Sequence, residues 1–325
     1  MGIDDQASGM VTLAAIRAAR QRIAAIARVT PLVDVSAEAG RPLWLKCESL
    51  QPAGAFKIRG AYNMVAQLDE PQRRRGVITF SSGNHGQAVA LAARELGAPA
   101  VVVMPTSAPA IKVEGAKAFG AEVILEGTTS AHRRARAEAE AAARGLTMVP
   151  PFDHEWIIAG QGTLGLEILE QCPEVRTVFV PVGGGGLIAG VATAIKRTRP
   201  DVRVVGVEPA GAAKMTAALA AGGPVTLEKT SSIADGLLTM RAGDLTFAHV
   251  RAFVDEVVTV ADAEIAAAVE WLFSTARIVA EPSGAATTAA VLAREADGAT
   301  VAVVSGGNVA PEDFARYITA GGGNP

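Results

Sequence analysis

Cysteine is almost missing from this chain: Cys47 and Cys172 are the only two in 325 residues. Two thiols make no disulfide framework, and they have no metal-ligand spacing. Paired cysteine motifs, His-Glu-x-x-His and the calcium-loop pattern are all absent from the sequence. Charge of one sign is lacking too. The net charge is −3, which gives no electrostatic case for nucleic acid or an anionic membrane. The N-terminus carries Asp4 and Asp5 and no early apolar stretch, so no signal peptide is expected. The segment from Thr177 to Ile195 is cut by Pro181 and four consecutive glycines into a strand, a turn and a helix start, which excludes a membrane span. A reduced, cytoplasmic setting is the expectation.

Half of the residues are apolar, enough for a substantial core and one large domain or two smaller ones. Only the ends, Met1 to Ser8 and Gly321 to Pro325, read as loose. Short β-branched runs alternate with Ala-rich helical stretches. The runs 43–47, 77–80, 100–104, 122–125, 177–182, 203–208 and 300–304 read as strands. Helices are expected over 60–68, 86–96, 108–119, 130–144, 162–171, 187–197, 262–276 and 284–294. This alternation predicts an α/β fold of open parallel-sheet domains with helices on both faces. Pro71 and Pro150-Pro151 bracket three regular units. A small domain over 69–148, inserted into a large one formed by 1–68 and 149–325, is therefore expected, with a cleft between them. Ligands in such sheets sit beyond the carboxyl ends of the strands.

Lysine is scarce, seven against 23 arginines, and one lysine is unusually placed. Lys57 lies in Gln51-Pro52-Ala53-Gly54-Ala55-Phe56-Lys57-Ile58-Arg59-Gly60, after a small-residue turn and beside an aromatic ring. An amine is nucleophilic only when uncharged, and burial near a cation such as Arg59 would lower its pKa. Three small-residue clusters follow expected strands. Gly183 to Gly186 precede a helix, where converging N–H groups and the helix dipole favour a phosphate. Ser81-Ser82-Gly83-Asn84-His85 offers backbone N–H groups for a carboxylate, or equally an N-capping turn. Ser305-Gly306-Gly307-Asn308 places a neutral hydroxyl where a ring could approach. A rival reading exists: Gly184-x-Gly186-x-x-Ala189, with Glu208 about 20 residues on, also fits a nicotinamide-dinucleotide fingerprint and so an oxidoreductase.

Taken together and in order, these clusters resemble the serine/threonine dehydratase and serine racemase family, pyridoxal-phosphate enzymes of the tryptophan-synthase-β fold (fold type II). The likeness runs from Thr30-Pro31-Leu32 to Asn308. Ser81-Ser82-Gly83-Asn84-His85-Gly86 looks like the dehydratase and racemase branch; cysteine synthases usually carry threonine there. The resemblance implies pyridoxal 5'-phosphate held by Lys57 as a Schiff base. It implies that Phe56 borders the ring, Asn84 bonds its hydroxyl, Ser305 meets its nitrogen and Glu281 lies nearby. Gly183, Gly184, Gly185, Gly186 and Leu187 would hold the phosphate. Lys57 and Ser82 would act on opposite faces, and Ser81, Ser82, His85, Arg133 and Thr239 would meet the substrate. One departure stands out. The family's divalent-cation site uses an acid, here Glu208, and a second acid six residues later, where this chain has Lys214. No metal, or only a weakly held one near Glu208, is expected.

The activity so implied is α,β-elimination from a β-hydroxy amino acid, giving a 2-keto acid and ammonia. L-Threonine and L-serine are the first substrates; 3-hydroxyaspartate and phenylserine remain open. Serine racemisation on the same site is the alternative, and a silent binding protein on this fold is another. The family commonly forms homodimers, and nothing else in the sequence bears on assembly.

Overall fold

Strand residues in this chain send alternate side chains into two different cores, and that alternation explains the apolar runs. The computed structural model describes residues 9–81, 83–108, 110–294 and 297–320. The ends read as loose, 1–8 and 321–325, lie outside the described residues, as does Ser82. Among the described residues two sheets form, one of six strands and one of four.

The larger sheet has the order β1-β2-β10-β7-β8-β9. Its strands are β1 (Leu32–Asp34), β2 (Leu43–Cys47), β7 (Thr177–Pro181), β8 (Arg203–Pro209), β9 (Glu256–Val260) and β10 (Thr300–Val304). The smaller has the order β5-β4-β3-β6, from β3 (Val77–Phe80), β4 (Ala100–Met104), β5 (Glu122–Leu125) and β6 (Thr147–Met148). All ladders are parallel except β1 against β2 at one edge. In β10, Val301 and Val303 enter the core formed with helix Gly186–Thr198, while Ala302 and Val304 enter the core with helix Pro282–Ala293. In β4, Ala100, Val102 and Met104 face helix Asn84–Glu95, and Val101 and Val103 face helix Ser130–Arg144. Sheets covered on both faces need apolar side chains at every position, so polar alternation is lost. Helices on both sides of parallel sheets are what the β–α alternation predicted.

Helix limits differ from the sequence reading where the chain is buried. The helix expected over 60–68 runs Lys57–Val65, and that expected over 162–171 begins at Glu155. The two helices pack on each other within their first two turns. Gly160 packs on the Arg59 carbonyl and has no room for a Cβ. The Gly60 N–H is capped from afar by Gln161 Oε1 at 3.2 Å. The consequence is that Lys57 opens a helix and does not stand in a loop before one. No described helix is long and apolar enough to cross a membrane.

Candidate functional site

Lys57 is held from three directions. Its turn is clipped to the loop after β10: Phe56 N–H donates to Ser305 O at 3.1 Å, and Gly307 N–H donates to Gly54 O at 2.9 Å. Ala53 takes a positive φ of 63° to make that turn, a conformation that costs a non-glycine residue about 1 kcal/mol or more. The Lys57 ammonium donates to Pro151 O at 2.7 Å and lies 5.2 Å from the Phe56 ring centroid. Burial without a counter-charge brings its pKa down to about 8.

Arg59, expected to help lower that pKa, does not. It is fully buried and forms short ion pairs with Glu48 and Glu167, at 2.7 and 2.6 Å. Lys46 completes the group through Glu167 at 2.7 Å. Two cations and two anions cancel, so the cluster anchors the Lys57 helix and leaves little field at the amine.

The glycine run joins the same place through Phe152, the residue after Pro151. A Cβ on Gly184 would overlap the Phe152 ring, and one on Gly186 would meet the Phe152 backbone. Gly185 has a φ of +97° and starts helix Gly186–Thr198 with no side-chain cap. The first N–H groups of that helix have no intrahelical acceptor, and Leu187 is buried among them. Thr246 Oγ fixes the run by donating to Gly184 O at 2.7 Å. The result is a cradle of uncapped N–H groups at a helix N-terminus, a seat for phosphate.

Asn84 opens the helix after β3. Its Nδ2 donates to Glu281 Oε1, and its Oδ1 accepts from Asn308 Nδ2 at 2.9 Å. Asn308 also donates to Ala53 O at 2.8 Å. The Lys57 turn, the serine-rich turn and the loop after β10 are thus one hydrogen-bonded unit. Glu281 is buried, and burial raises its pKa to about 7, with Asp235 adding to the rise and Lys112 and Asn84 opposing it. Ser305, at the end of β10, is buried with only a long 3.5 Å bond from Oγ to Ser283 O.

The remaining expected residues are less tied together. Ser81 Oγ accepts from Gly83 N–H at 3.1 Å. His85 is buried with Nε2 3.1 Å from Val149 O. Arg133 donates to Ser130 Oγ at 2.9 Å, and its Nε is buried without a partner. Thr239 Oγ is likewise buried and unpartnered. Among the described residues no hydrogen bond or ion pair links Arg133 or Thr239 to Lys57.

Several contributors were not read from the sequence. Lys112 packs on Gly83 and pairs with Asp235. Pro151 was read only as part of a crossing between domains, and Phe152 was not read at all. Asn308 was visible as a polar residue in a glycine cluster, the one signal available.

The nicotinamide reading fails on Glu208. Its carboxylate is fully buried and accepts from Met215 N–H, Thr216 N–H and Thr216 Oγ, all at 2.8 Å. Such a group cannot face a ribose. Beside it the Lys214 ammonium is enclosed by the carbonyls of Val182, Ala212 and Leu237, each at 2.9 Å, and by Glu208 Oε1 at 3.2 Å.

The residues fit pyridoxal phosphate. There is a buried amine of lowered pKa, a phosphate seat in which Gly184 admits no Cβ, an amide beside a buried acid, and a neutral hydroxyl with spare capacity. The chain belongs to the pyridoxal-phosphate dependent enzyme family, whose model matches residues 23–307. It uses pyridoxal phosphate as its cofactor. Over 317 residues it is 44% identical to the L-threonine ammonia-lyase of Thermotoga maritima, covering 96% of this chain and 79% of that protein. It is 45% identical to the biosynthetic L-threonine dehydratase of Pasteurella multocida over 81% of this chain, but spans only 52% of that protein's length. The solved structure of maize serine racemase superposes with a TM-score of 0.90 at 40% identity, covering 96% of this chain and 98% of that one.

Proposed function

We propose that this protein is an ammonia-lyase for β-hydroxy amino acids, with L-threonine and L-serine as its first substrates. The observation that carries the reading is Lys57: a buried amine with a pKa of about 8 and a neutral carbonyl as acceptor. It sits beside a phosphate seat in a chain 44% identical to an L-threonine ammonia-lyase.

Bound pyridoxal phosphate supplies the sink for negative charge at the substrate α-carbon. The chain's residues do the rest. Gly183 to Gly186 and Leu187 hold the phosphate, Phe56 borders the ring, and Asn84 and Glu281 stand at its hydroxyl side. Ser305 offers the ring nitrogen a hydroxyl in place of a carboxylate, which favours elimination over transamination. Lys57 Nζ takes the α-proton, a nearby acid protonates the β-hydroxyl so that it departs as water, and hydrolysis of the released enamine then yields a 2-keto acid and ammonia. Ser81, His85, Arg133 and Thr239 are assigned to the substrate, and Ser82 to the face opposite Lys57. Residues 69–148 form the inserted small domain, and 1–68 with 149–325 the large one. A cytoplasmic location is part of the same reading.

The second reading is racemisation, favoured by the likeness to maize serine racemase. One experiment separates the two. Keto-acid release is measured from L-threonine, L-serine, 3-hydroxyaspartate and phenylserine, with chiral analysis of the remaining amino acid. Keto acid from none of the four overturns the lyase assignment. Racemisation that survives Ser82→Ala unchanged removes Ser82 as second base.

A further inference from the structure

A glycine run has no side chains to hold its peptide planes. A peptide between two glycines can turn over at little steric cost, because both signs of φ are open to them. In Gly183 to Gly186 the direction of each plane matters. Among the described residues no acceptor takes the N–H of any residue from Gly183 to Leu187. Gly184, Gly185, Gly186 and Leu187 are buried all the same. Buried N–H groups without partners are rare in folded chains. This row is built for an acceptor from outside, and the cofactor's phosphate is one. A plane that turned over would put a carbonyl oxygen in the row and repel the same anion.

One plane is held by a side chain from another element. Thr246 is fully buried in the first turn of helix Asp244–Phe253, with Oγ 2.7 Å from Gly184 O and 3.2 Å from Gly243 O. A hydroxyl has one hydrogen, and the nearer carbonyl takes it. Gly243 N–H adds a longer bond to Gly184 O at 3.3 Å. Thr246 comes so close because position 185 has no side chain: a Cβ there would lie 2.8 Å from Oγ. In a trans peptide the C=O and the following N–H point opposite ways. Holding Gly184 O against Thr246 therefore turns the Gly185 N–H away from that helix and leaves it free. Thr246 is itself held by Asp153, whose carboxylate accepts from Thr246 N–H at 3.1 Å and Asp244 N–H at 3.0 Å. The residue before it, Phe152, fills the space that side chains at Gly184 and Gly186 would need. One residue earlier, Pro151 O accepts from the Lys57 amine. Three successive residues thus touch the amine, the glycine run and the threonine that orients it.

We propose that Thr246 is a positioning residue for the cofactor's phosphate: its hydroxyl fixes the Gly184–Gly185 peptide with the N–H toward the phosphate, and Asp153 holds Thr246 in place. The inference rests on the reading that Gly183 to Leu187 seat that phosphate. One hydrogen bond to a charged group changes affinity by about 10- to 100-fold.

The test compares pyridoxal phosphate with pyridoxal, which keeps the ring and the aldehyde but has a hydroxyl where the phosphate was. Binding of each to the cofactor-free full-length protein is read from the visible absorbance of the imine with Lys57. Thr246→Val keeps the shape and removes the hydroxyl. It should weaken pyridoxal phosphate binding by about 10- to 100-fold and pyridoxal binding by less than about twofold. Thr246→Ser, which keeps the donor, should stay within about threefold of wild type for both ligands. A Thr246→Val variant that binds pyridoxal phosphate as wild type does, or that loses both ligands equally, overturns the assignment; equal loss is what a purely structural role gives. If Thr246→Val does not fold, Asp153→Asn takes its place. That change removes the charge and turns one of the two acceptors into a donor facing an N–H. It should cost about tenfold on pyridoxal phosphate and little on pyridoxal; an equal change in both, or none, refutes the proposal. Wild-type preference for pyridoxal phosphate over pyridoxal tests the phosphate seat separately. If that preference exists and survives Thr246→Val undiminished, only the Thr246 assignment falls. If the wild type shows no preference, the seat and the proposal fall together.

Discussion

Replacing Lys214 by methionine removes a charge at nearly constant volume, so cavity effects stay small. Lys214 is fully buried, and its three N–H bonds go to the carbonyls of Val182, Ala212 and Leu237, each at 2.9 Å, with Glu208 at 3.2 Å. In Lys214→Met the three carbonyls lose a charged donor and Glu208 loses its counter-ion. Breaking one half of a buried ion pair costs about 3–5 kcal/mol. Glu208 keeps donors from Met215 and Thr216, which places the expected loss nearer about 3 kcal/mol. For a chain of this size that is a fall in Tm of roughly 5 °C. Val182 immediately precedes the glycine run, so cofactor affinity should fall with stability. The assay is thermal melting by circular dichroism of cofactor-free protein, followed by cofactor titration. Lys214→Arg, which keeps a charge but not the fit, should fall between methionine and wild type. A methionine variant that melts within about 1 °C of wild type refutes the view that the ammonium ties these three segments together.

Lys57→Ala should lower keto-acid release by at least about 10⁴-fold, since both the anchor and the α-proton acceptor are gone. In the wild type, cofactor uptake by apoenzyme should rise with pH up to about 8, where Lys57 loses its proton. Below that value only the neutral fraction reacts, so the rate should drop about tenfold per pH unit; a flat profile contradicts the burial argument. Gly184→Ala should weaken cofactor binding by about tenfold or more, because the new methyl overlaps the Phe152 ring; equilibrium dialysis measures this, and unchanged affinity would remove the cradle from the site. Glu281 has a folded pKa of about 7, raised from 4.5. Its neutral form is favoured by folding, so the stability it contributes is present below pH 4.5 and lost as pH rises toward 7. Glu281→Gln should therefore be about 2 kcal/mol more stable than wild type at pH 8 in denaturant melts, with the gap closing near pH 4.

The parallel sheets were legible because central strands such as β4, β7 and β10 are buried on both faces and appear as unbroken apolar runs; the short or half-exposed edge strands β1, β6 and β9 were not read. The glycine run was legible because four adjacent glycines are too costly to keep for an ordinary turn. The helix starts at Lys57 and Glu155 were not: the Gly60 N–H finds its acceptor on the facing helix at Gln161, and the Glu155 start is capped by the imidazole of His154, which accepts from Trp156 N–H. The role given to Arg59 was wrong because its partners lie far along the chain. Its charge is cancelled by Glu48 and Glu167, and Glu167 is 108 residues away.

The sequence by itself determined the local chemistry: an amine after a tight turn, a phosphate seat at a strand–helix junction, and hydroxyls at strand ends. Those features depend on neighbouring residues and on backbone freedom. Only the tertiary structure decided their protonation and pairing. Asn84 meets Glu281 across 197 positions, and burial brings Lys57 down and Glu281 up. A distant carbonyl selects which nitrogen of His85 carries the hydrogen, and three converging carbonyls accept the Lys214 ammonium. Such effects scale with the distance between groups and with exclusion of water, and neither is written in the order of residues.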